Sequence, residues 1–91
     1  MIDPHVHLRD WAQSDKETLA HGLMVAKRSG ITALFDMPNT NPPLTSREAI
    51  TRRLREANAL GSGVSYHIWA GVTGYTQQVR EVAELVEELY P

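Results

Sequence analysis

The sequence predicts an α/β fold, and three observations carry that prediction. Strand-like and helix-like patterns alternate along all 91 residues. Capping or glycine signals bracket the helix-like stretches, and the connections between elements are short. A β-α-β-α-β-α order of this kind argues for a parallel sheet with helices packed on it. An open three-layer sheet and part of a closed barrel both fit, and the pattern alone does not choose between them.

The opening segment Ile2 to Leu8 reads as a short strand, with Pro4 tolerated near its start. Ser14-Asp15-Lys16-Glu17 has the form of a capping box. The helix it announces carries Leu19, Leu23 and Ala26 on one face and stops at Gly30. Ile31 to Met37 follows, an apolar run bounded by Gly30 and Pro38 that suits a strand buried on both faces. Pro38-Asn39-Thr40-Asn41-Pro42-Pro43 is neither helix nor sheet, because three prolines remove donors and fix the backbone. Thr45-Ser46-Arg47-Glu48 offers a second capping box, and its helix keeps Ile50, Leu54 and Ala57 in phase to about Gly61. Val64 to Val72 alternates as a third strand, also read as covered on both faces. From Thr76 onward, Val79, Val82, Ala83, Val86 and Leu89 trace the apolar stripe of a third helix.

Composition narrows the function classes. Apolar content of 42% with charged content of 22% fits an ordinary globular chain and not a disordered tail. The formal net charge is -2 and the nine Lys and Arg are dispersed. Their one small cluster, Arg52-Arg53-Leu54-Arg55, is interleaved with apolar positions of a helix, which argues against a nucleic-acid partner. The absence of cysteine excludes disulfides, thiolate zinc sites and thiol catalysis. Met1-Ile2-Asp3-Pro4-His5 is no signal peptide, and no apolar run approaches the roughly 18 residues that span a bilayer. A cytoplasmic protein without membrane contact is the expectation.

His5 and His7 are the residues that point to chemistry. A strand has a side-chain period of two, so both imidazoles project from one face, with Asp3 and Arg9 joining them if the strand persists. Two adjacent imidazoles are a half-site for a divalent metal, usually zinc. The plainer reading is two unrelated histidines. Their position at the C-terminal end of a first βα strand, where functional residues concentrate, favours the metal. Arg9 offers a planar fork of donors for a carboxylate, or else pairs with Asp10 or Asp3 at the surface. Asn39 sits at the matching end of the second strand, where a proline-stiffened loop would hold its amide in place; otherwise it is a turn residue bonding its own backbone. His67 reads as a packed or helix-facing histidine, His21 as a solvated helix residue one turn after Glu17. Trp11 and Trp69 serve equally well for packing or for binding.

Taken together, Asp3-Pro4-His5-Val6-His7-Leu8-Arg9-Asp10 and Asp36-Met37-Pro38-Asn39-Thr40-Asn41-Pro42-Pro43 resemble the two N-terminal signatures of the dihydroorotases, within the metal-dependent amidohydrolase superfamily. Lys16-Glu17 and Gly30-Ile31-Thr32 also fall where that family has similar residues. The likeness runs along nearly the whole chain. It implies a (β/α)₈ barrel of TIM type, of which residues 1–91 supply the first three βα units as part of a longer domain. It also implies the reversible, zinc-dependent cyclisation of N-carbamoyl-L-aspartate to dihydroorotate in pyrimidine synthesis, with one or two zinc ions in the complete enzyme.

On that resemblance, His5 and His7 bind the more buried zinc, while Arg9 and Asn39 hold the substrate carboxylate. Dihydropyrimidinases and hydantoinases share the His-x-His but act on rings without that carboxylate, and allantoinases differ at both positions. The family's bridging lysine, two further histidines and catalytic aspartate lie on later strands, so the expectation is that this chain holds no catalytic residue and is inactive alone. The family continues after its arginine with an acidic residue and Pro-Gly. Here Asp10-Trp11-Ala12 follows, so the first loop takes a different path. Non-catalytic relatives that scaffold aspartate transcarbamoylase form an alternative class, against which the retention of all four residues argues. The expected partners are the small-molecule substrate, the rest of the barrel and, on the alternative, aspartate transcarbamoylase.

Overall fold

Leu34 on the second strand lies level with Asp3 on the first and Tyr66 on the third, and this register organises the molecule. The computed structural model describes residues 1–91. Its elements are β1 (Ile2–Val6), α1 (Leu19–Arg28), β2 (Ala33–Asp36), α2 (Arg47–Ala59), β3 (Ser65–Ile68) and α3 (Thr76–Leu89), in the expected alternation. The strands are parallel and ordered β1-β2-β3. This is an α/β arrangement of three consecutive βα units.

The helix-facing side of the sheet carries the core. Leu34 and Tyr66 meet Leu8, Leu19, Leu23, Ala26, Ala57 and Val64 in one cluster. Leu44, Ala49 and Ile50 meet Val82 and Leu85 in a second, where α3 packs on α2. Leu34 and Leu23 are almost fully buried, and each such side chain stabilises the fold by about 1.5–3 kcal/mol relative to exposure. Gly22 of α1 makes room for the Leu8 side chain, since a Cβ there would lie 2.5 Å from Leu8 Cδ2.

All three strands are shorter than the sequence pattern predicts. β1 ends at Val6 rather than Leu8, after a register irregularity between Asp3 and Val6. β2 covers Ala33–Asp36, not Ile31–Met37, and β3 covers Ser65–Ile68, not Val64–Val72. Past Ile68 the chain peels away: Trp69 N–H still donates to Asp36 O, but Gly71 N–H goes to Leu44 O in the proline-rich loop. Leu8 and Val64 lie outside the strands yet are buried in the core, so an apolar position there reports packing and not strand, whereas Val72 at the far end of the third run is exposed.

Both capping boxes are displaced. The N-cap of α1 is Thr18, not Ser14, its hydroxyl accepting from His21 N–H at 3.2 Å. Ser14, Lys16 and the Glu17 carbonyl are engaged in turns on Trp11, Gln13 and Asp10, which delays the helix. The N-cap of α2 is Ser46, not Thr45, accepting from Ala49 N–H at 3.2 Å. Thr45 instead closes the preceding loop, its carbonyl taken by Gln78 Nε2 at 2.6 Å.

The second face of the sheet is only partly covered, against the expectation for β2 and β3. Phe35 and His67 are half-buried there and stacked 4.9 Å apart, with Trp69 tilted 5.3 Å from Phe35 and about half exposed. On α3 the buried residues are Val82 and Leu85; Val79, Val86 and Leu89 remain exposed. Val86 and Leu89 border an apolar groove of about 450 Å³ along β3, with Ile50, Ile68 and Val82 on its walls. No helix is long and apolar enough to cross a membrane.

Candidate metal and carboxylate site

The C-terminal ends of β1 and β2 bring three of the four expected residues together. His5 and His7 present their rings edge to face, centroids 5.1 Å apart, with the two Nε2 atoms 3.2 Å from each other. Two nitrogens at that spacing either share a proton or flank one cation. Ligands at the usual zinc–nitrogen distance of about 2.0–2.1 Å sit about 3.3 Å apart around a tetrahedral ion. The pair therefore fits such an ion. Both side chains are exposed and open to solvent. Asp3 does not join them: in register with Leu34, it falls out of phase across the β1 irregularity, and its Oδ1 accepts from His5 N–H at 3.1 Å.

Asn39 is tied to this pair and not to its own turn. Its Oδ1 lies 2.9 Å from His7 Nδ1. An amide oxygen can only accept, so Nδ1 carries the proton and Nε2 keeps its lone pair toward His5. The Asn39 amide nitrogen remains free to donate. The loop that holds it is pinned at several points. Thr40 is buried with its hydroxyl donating to Pro42 O at 2.8 Å, Leu44 is fully buried, and Leu44 N–H donates to Pro38 O at 3.0 Å. The peptide bond before Pro42 is cis.

Arg9 does not stay on the strand. Arg9, Asp10 and Trp11 have φ of 50°, 61° and 50°, three consecutive left-handed residues, none of them glycine, where the sequence departs from the dihydroorotase pattern. Such backbone costs of order 1–3 kcal/mol per residue and persists only when surrounding contacts over-determine it. Asp10 supplies those contacts. Its Oδ1 accepts from Trp11 N–H at 2.7 Å, its Oδ2 from Leu19 N–H at 2.9 Å, and its own N–H donates to Glu17 O at 2.8 Å. Trp11 locks the far side: its indole donates to Glu56 Oε2 at 2.8 Å, with the Arg52 guanidinium 4.4 Å from the ring centroid. Because Asp10 and Asp3 are bonded to main-chain N–H groups, neither pairs with Arg9. The half-buried guanidinium has no hydrogen-bond or ion-pair partner and is available to a ligand.

Glu56 is held below the ordinary carboxylate range: burial pushes it up, but hydrogen bonds from Trp11 and Arg52 outweigh this. No group of three or more His, Asp or Glu side chains converges anywhere in the chain. His5 and His7 thus make a two-ligand half-site. His67 stays apart, hydrogen-bonded to Ser65 Oγ and Tyr90 OH at 2.9 Å each. His21 pairs with Glu17 at 2.8 Å on the surface, and Trp69 donates to Pro4 O at 2.9 Å, bridging β3 to β1.

The pattern reading missed a buried cluster directly behind the histidines. Arg53, read in the sequence only as part of a small basic cluster interleaved with apolar helix positions, is fully buried with Asp36. Its Nη2 lies 2.8 Å and its Nε 3.3 Å from Asp36 Oδ2, which also accepts from Tyr66 OH at 2.6 Å. Burial lowers the guanidinium's affinity for its proton, but Tyr66 and Asp36 together raise it above the ordinary arginine value. Burial, with the Asp36 charge beside it, raises Tyr66 well above a free phenol, so it stays a donor. One signal was available: Asp36 and Tyr66 both fall on the helix-facing phase of their strands, opposite the apolar stripe that Arg53 interrupts.

A family model described as "Dihydro-orotase-like" matches residues 1–87. The chain is 36% identical over its whole length to a dihydroorotase of Pyrobaculum aerophilum, covering 23% of that protein. It is 42% identical over 82 residues, 88% of the chain, to a dihydroorotase of Thermococcus kodakarensis, covering 20% of it. Against a dihydroorotase of Aeropyrum pernix the identity is 39% over 85 residues, 93% of the chain and 20% of the relative. The chain thus spans less than a quarter of the length of these relatives. Residues 1–87, which carry the two histidines, the unpaired arginine and the asparagine loop, make this chain a member of the dihydro-orotase-like family.

Proposed function

We propose that this chain is the metal- and carboxylate-binding N-terminal part of a dihydroorotase, forming the first three βα units of a (β/α)₈ barrel. The reaction is the reversible closure of N-carbamoyl-L-aspartate: the ureido nitrogen forms a bond to the side-chain carboxyl carbon, water leaves, and dihydroorotate results. The observation that carries this reading is the pairing of two facing imidazole Nε2 atoms, 3.2 Å apart, with a guanidinium free of any protein partner. The first suits a metal; the second suits a carboxylate that the ring itself does not consume.

His5 and His7 would hold zinc together with ligands from elsewhere in the barrel, and the ion would supply Lewis acidity and an activated water. The chain's own residues fix the substrate. Arg9 grips the retained carboxylate with its fork of donors, and the free amide N–H of Asn39 adds a second contact that sets the ring's register. Proton transfer to the reacting atoms falls to groups beyond these residues.

Replacing Arg9 with Ala in the full-length protein removes a charge-assisted hydrogen bond of about 1.5–3 kcal/mol. kcat/KM for dihydroorotate should fall roughly tenfold to hundredfold while zinc content stays the same. A matching loss of zinc would assign Arg9 to the structure and sink the carboxylate role. The isolated 91-residue chain should turn over little or no substrate, because two imidazoles hold zinc weakly. Robust hydrolysis by that chain would overturn the division of labour proposed here.

A further inference from the structure

Behind the histidine pair, the chemistry proposed above leaves one charged group unused. Asp36 is wholly buried and divides its carboxylate. Oδ2 is taken by Arg53 and Tyr66, while Oδ1 accepts from the backbone N–H of Leu8 at 3.0 Å. Burying an ion pair is a poor stabilising device, since desolvation offsets the attraction and apolar replacements of similar volume are often neutral or better. An apolar pair cannot, however, supply an acceptor for Leu8. That acceptor is needed where it stands. The last main-chain bond linking the two strands runs from Met37 N–H to Val6 O at 2.8 Å, and Pro38 then turns the chain away. His7 lies between that bond and the Leu8 clamp.

We infer that Asp36 is a positioning residue for the His5–His7 pair: braced by Arg53 and Tyr66, it clamps the peptide between His7 and Leu8 and so sets where the two imidazoles meet. The inference rests on the metal half-site reading above. Asn39 fixes the His7 ring from one side and Asp36 fixes its backbone from the other. Partners of this kind around metal ligands are worth about 10- to 100-fold in affinity.

The test separates the acceptor from the charge pair. Asp36→Asn/Arg53→Met removes both charges but keeps an oxygen for Leu8 N–H. Asp36→Leu/Arg53→Met removes both charges and the acceptor. Zn²⁺ alone is titrated into the metal-free full-length protein carrying each pair of substitutions, with bound zinc read by equilibrium dialysis and urea unfolding recorded in parallel. Asp36→Leu/Arg53→Met should raise the Zn²⁺ midpoint about tenfold, and the asparagine variant should leave it unchanged. Equal midpoints in all three chains, or equal losses in the two double variants, would overturn the inference. If the leucine variant does not fold, Tyr66→Phe, which removes one brace and keeps the charges, should raise the midpoint by about threefold; no change overturns the inference. His5→Ala is the control. Undiminished binding there removes the half-site and the inference with it, whereas loss in His5→Ala with none in the Asp36 variants removes the inference alone.

Discussion

Asn39 presents its amide oxygen to Nδ1 of His7 at 2.9 Å, so a loop residue after β2 decides which nitrogen of a histidine just past β1 is left bare. One side chain would thereby serve two ends in the role proposed for it: its oxygen meets the imidazole, and its nitrogen, which has no partner in the chain, would be left for the substrate carboxylate. These roles can be pulled apart. Asn39→Asp keeps an acceptor for Nδ1–H but replaces the donor with a negative charge. Zn²⁺ binding should be retained or improved, while affinity for N-carbamoyl-L-aspartate in the full-length protein should fall by tenfold or more. Asn39→Ala should weaken both. If Asn39→Asp binds substrate as well as the parent, the amide does not contact the carboxylate.

Arg53 and Tyr66 should differ sharply when removed singly. Arg53→Met leaves the buried Asp36 carboxylate without its cation and should destabilise the chain by about 3–5 kcal/mol. Tyr66→Phe removes one hydroxyl donor and should cost about 1–3 kcal/mol. Urea denaturation measures both. A loss under about 1 kcal/mol for Arg53→Met would mean that the pair is hydrated in solution.

The contact between Glu56 and Trp11 should be acid-sensitive. The folded chain holds the Glu56 carboxyl below its ordinary value of 4.5. A depressed carboxylate stabilises the fold above the unfolded value and loses that contribution as pH falls through the folded one. Below pH 4.5 the Trp11 loop should therefore loosen. Trp11 fluorescence, recorded in a Trp69→Phe background, should change with acidification in the parent and stay flat in Glu56→Gln. A parallel response in both chains would place the acid sensitivity elsewhere.

The displaced helix caps give a thermodynamic check on the fold. Thr18→Ala and Ser46→Ala should each cost about 1 kcal/mol. Ser14→Ala and Thr45→Ala, at the caps the sequence pattern favours, should stay within about 0.5 kcal/mol of the parent. Reversed ranking would mean that the helices begin earlier than the hydrogen bonds to His21 and Ala49 indicate.

How much of this was legible depended on whether the deciding interaction was local. His5 and His7 could be placed together because a strand's period of two needs no distant partner. Asn39 could be placed at the strand end because prolines fix its loop. The caps could not be placed as surely: Ser14 and Thr18 both precede an apolar stripe, and the choice rests on Asp10 reaching Leu19 N–H across nine residues. Arg53 was illegible as a core residue, since its partner Asp36 is 17 residues away and an arginine beside two others reads as surface. Strand ends failed for the same reason. Leu8 has a strand-like side chain, but its N–H is met by a carboxylate, which no periodicity records.

The left-handed run from Arg9 to Trp11 has a consequence for how the carboxylate grip proposed for Arg9 can fail. Right- and left-handed backbone wells are separated by forbidden conformations, so residues move between them in jumps and not by degrees. If the hold of Asp10 on Trp11 and Leu19 weakens, Arg9 does not drift from its place; a growing fraction of molecules has it pointing elsewhere. Substitutions around Asp10 should then act as a dial on occupancy, giving proteins with near-normal substrate affinity in a shrinking share of molecules, as a switch does and a hinge does not.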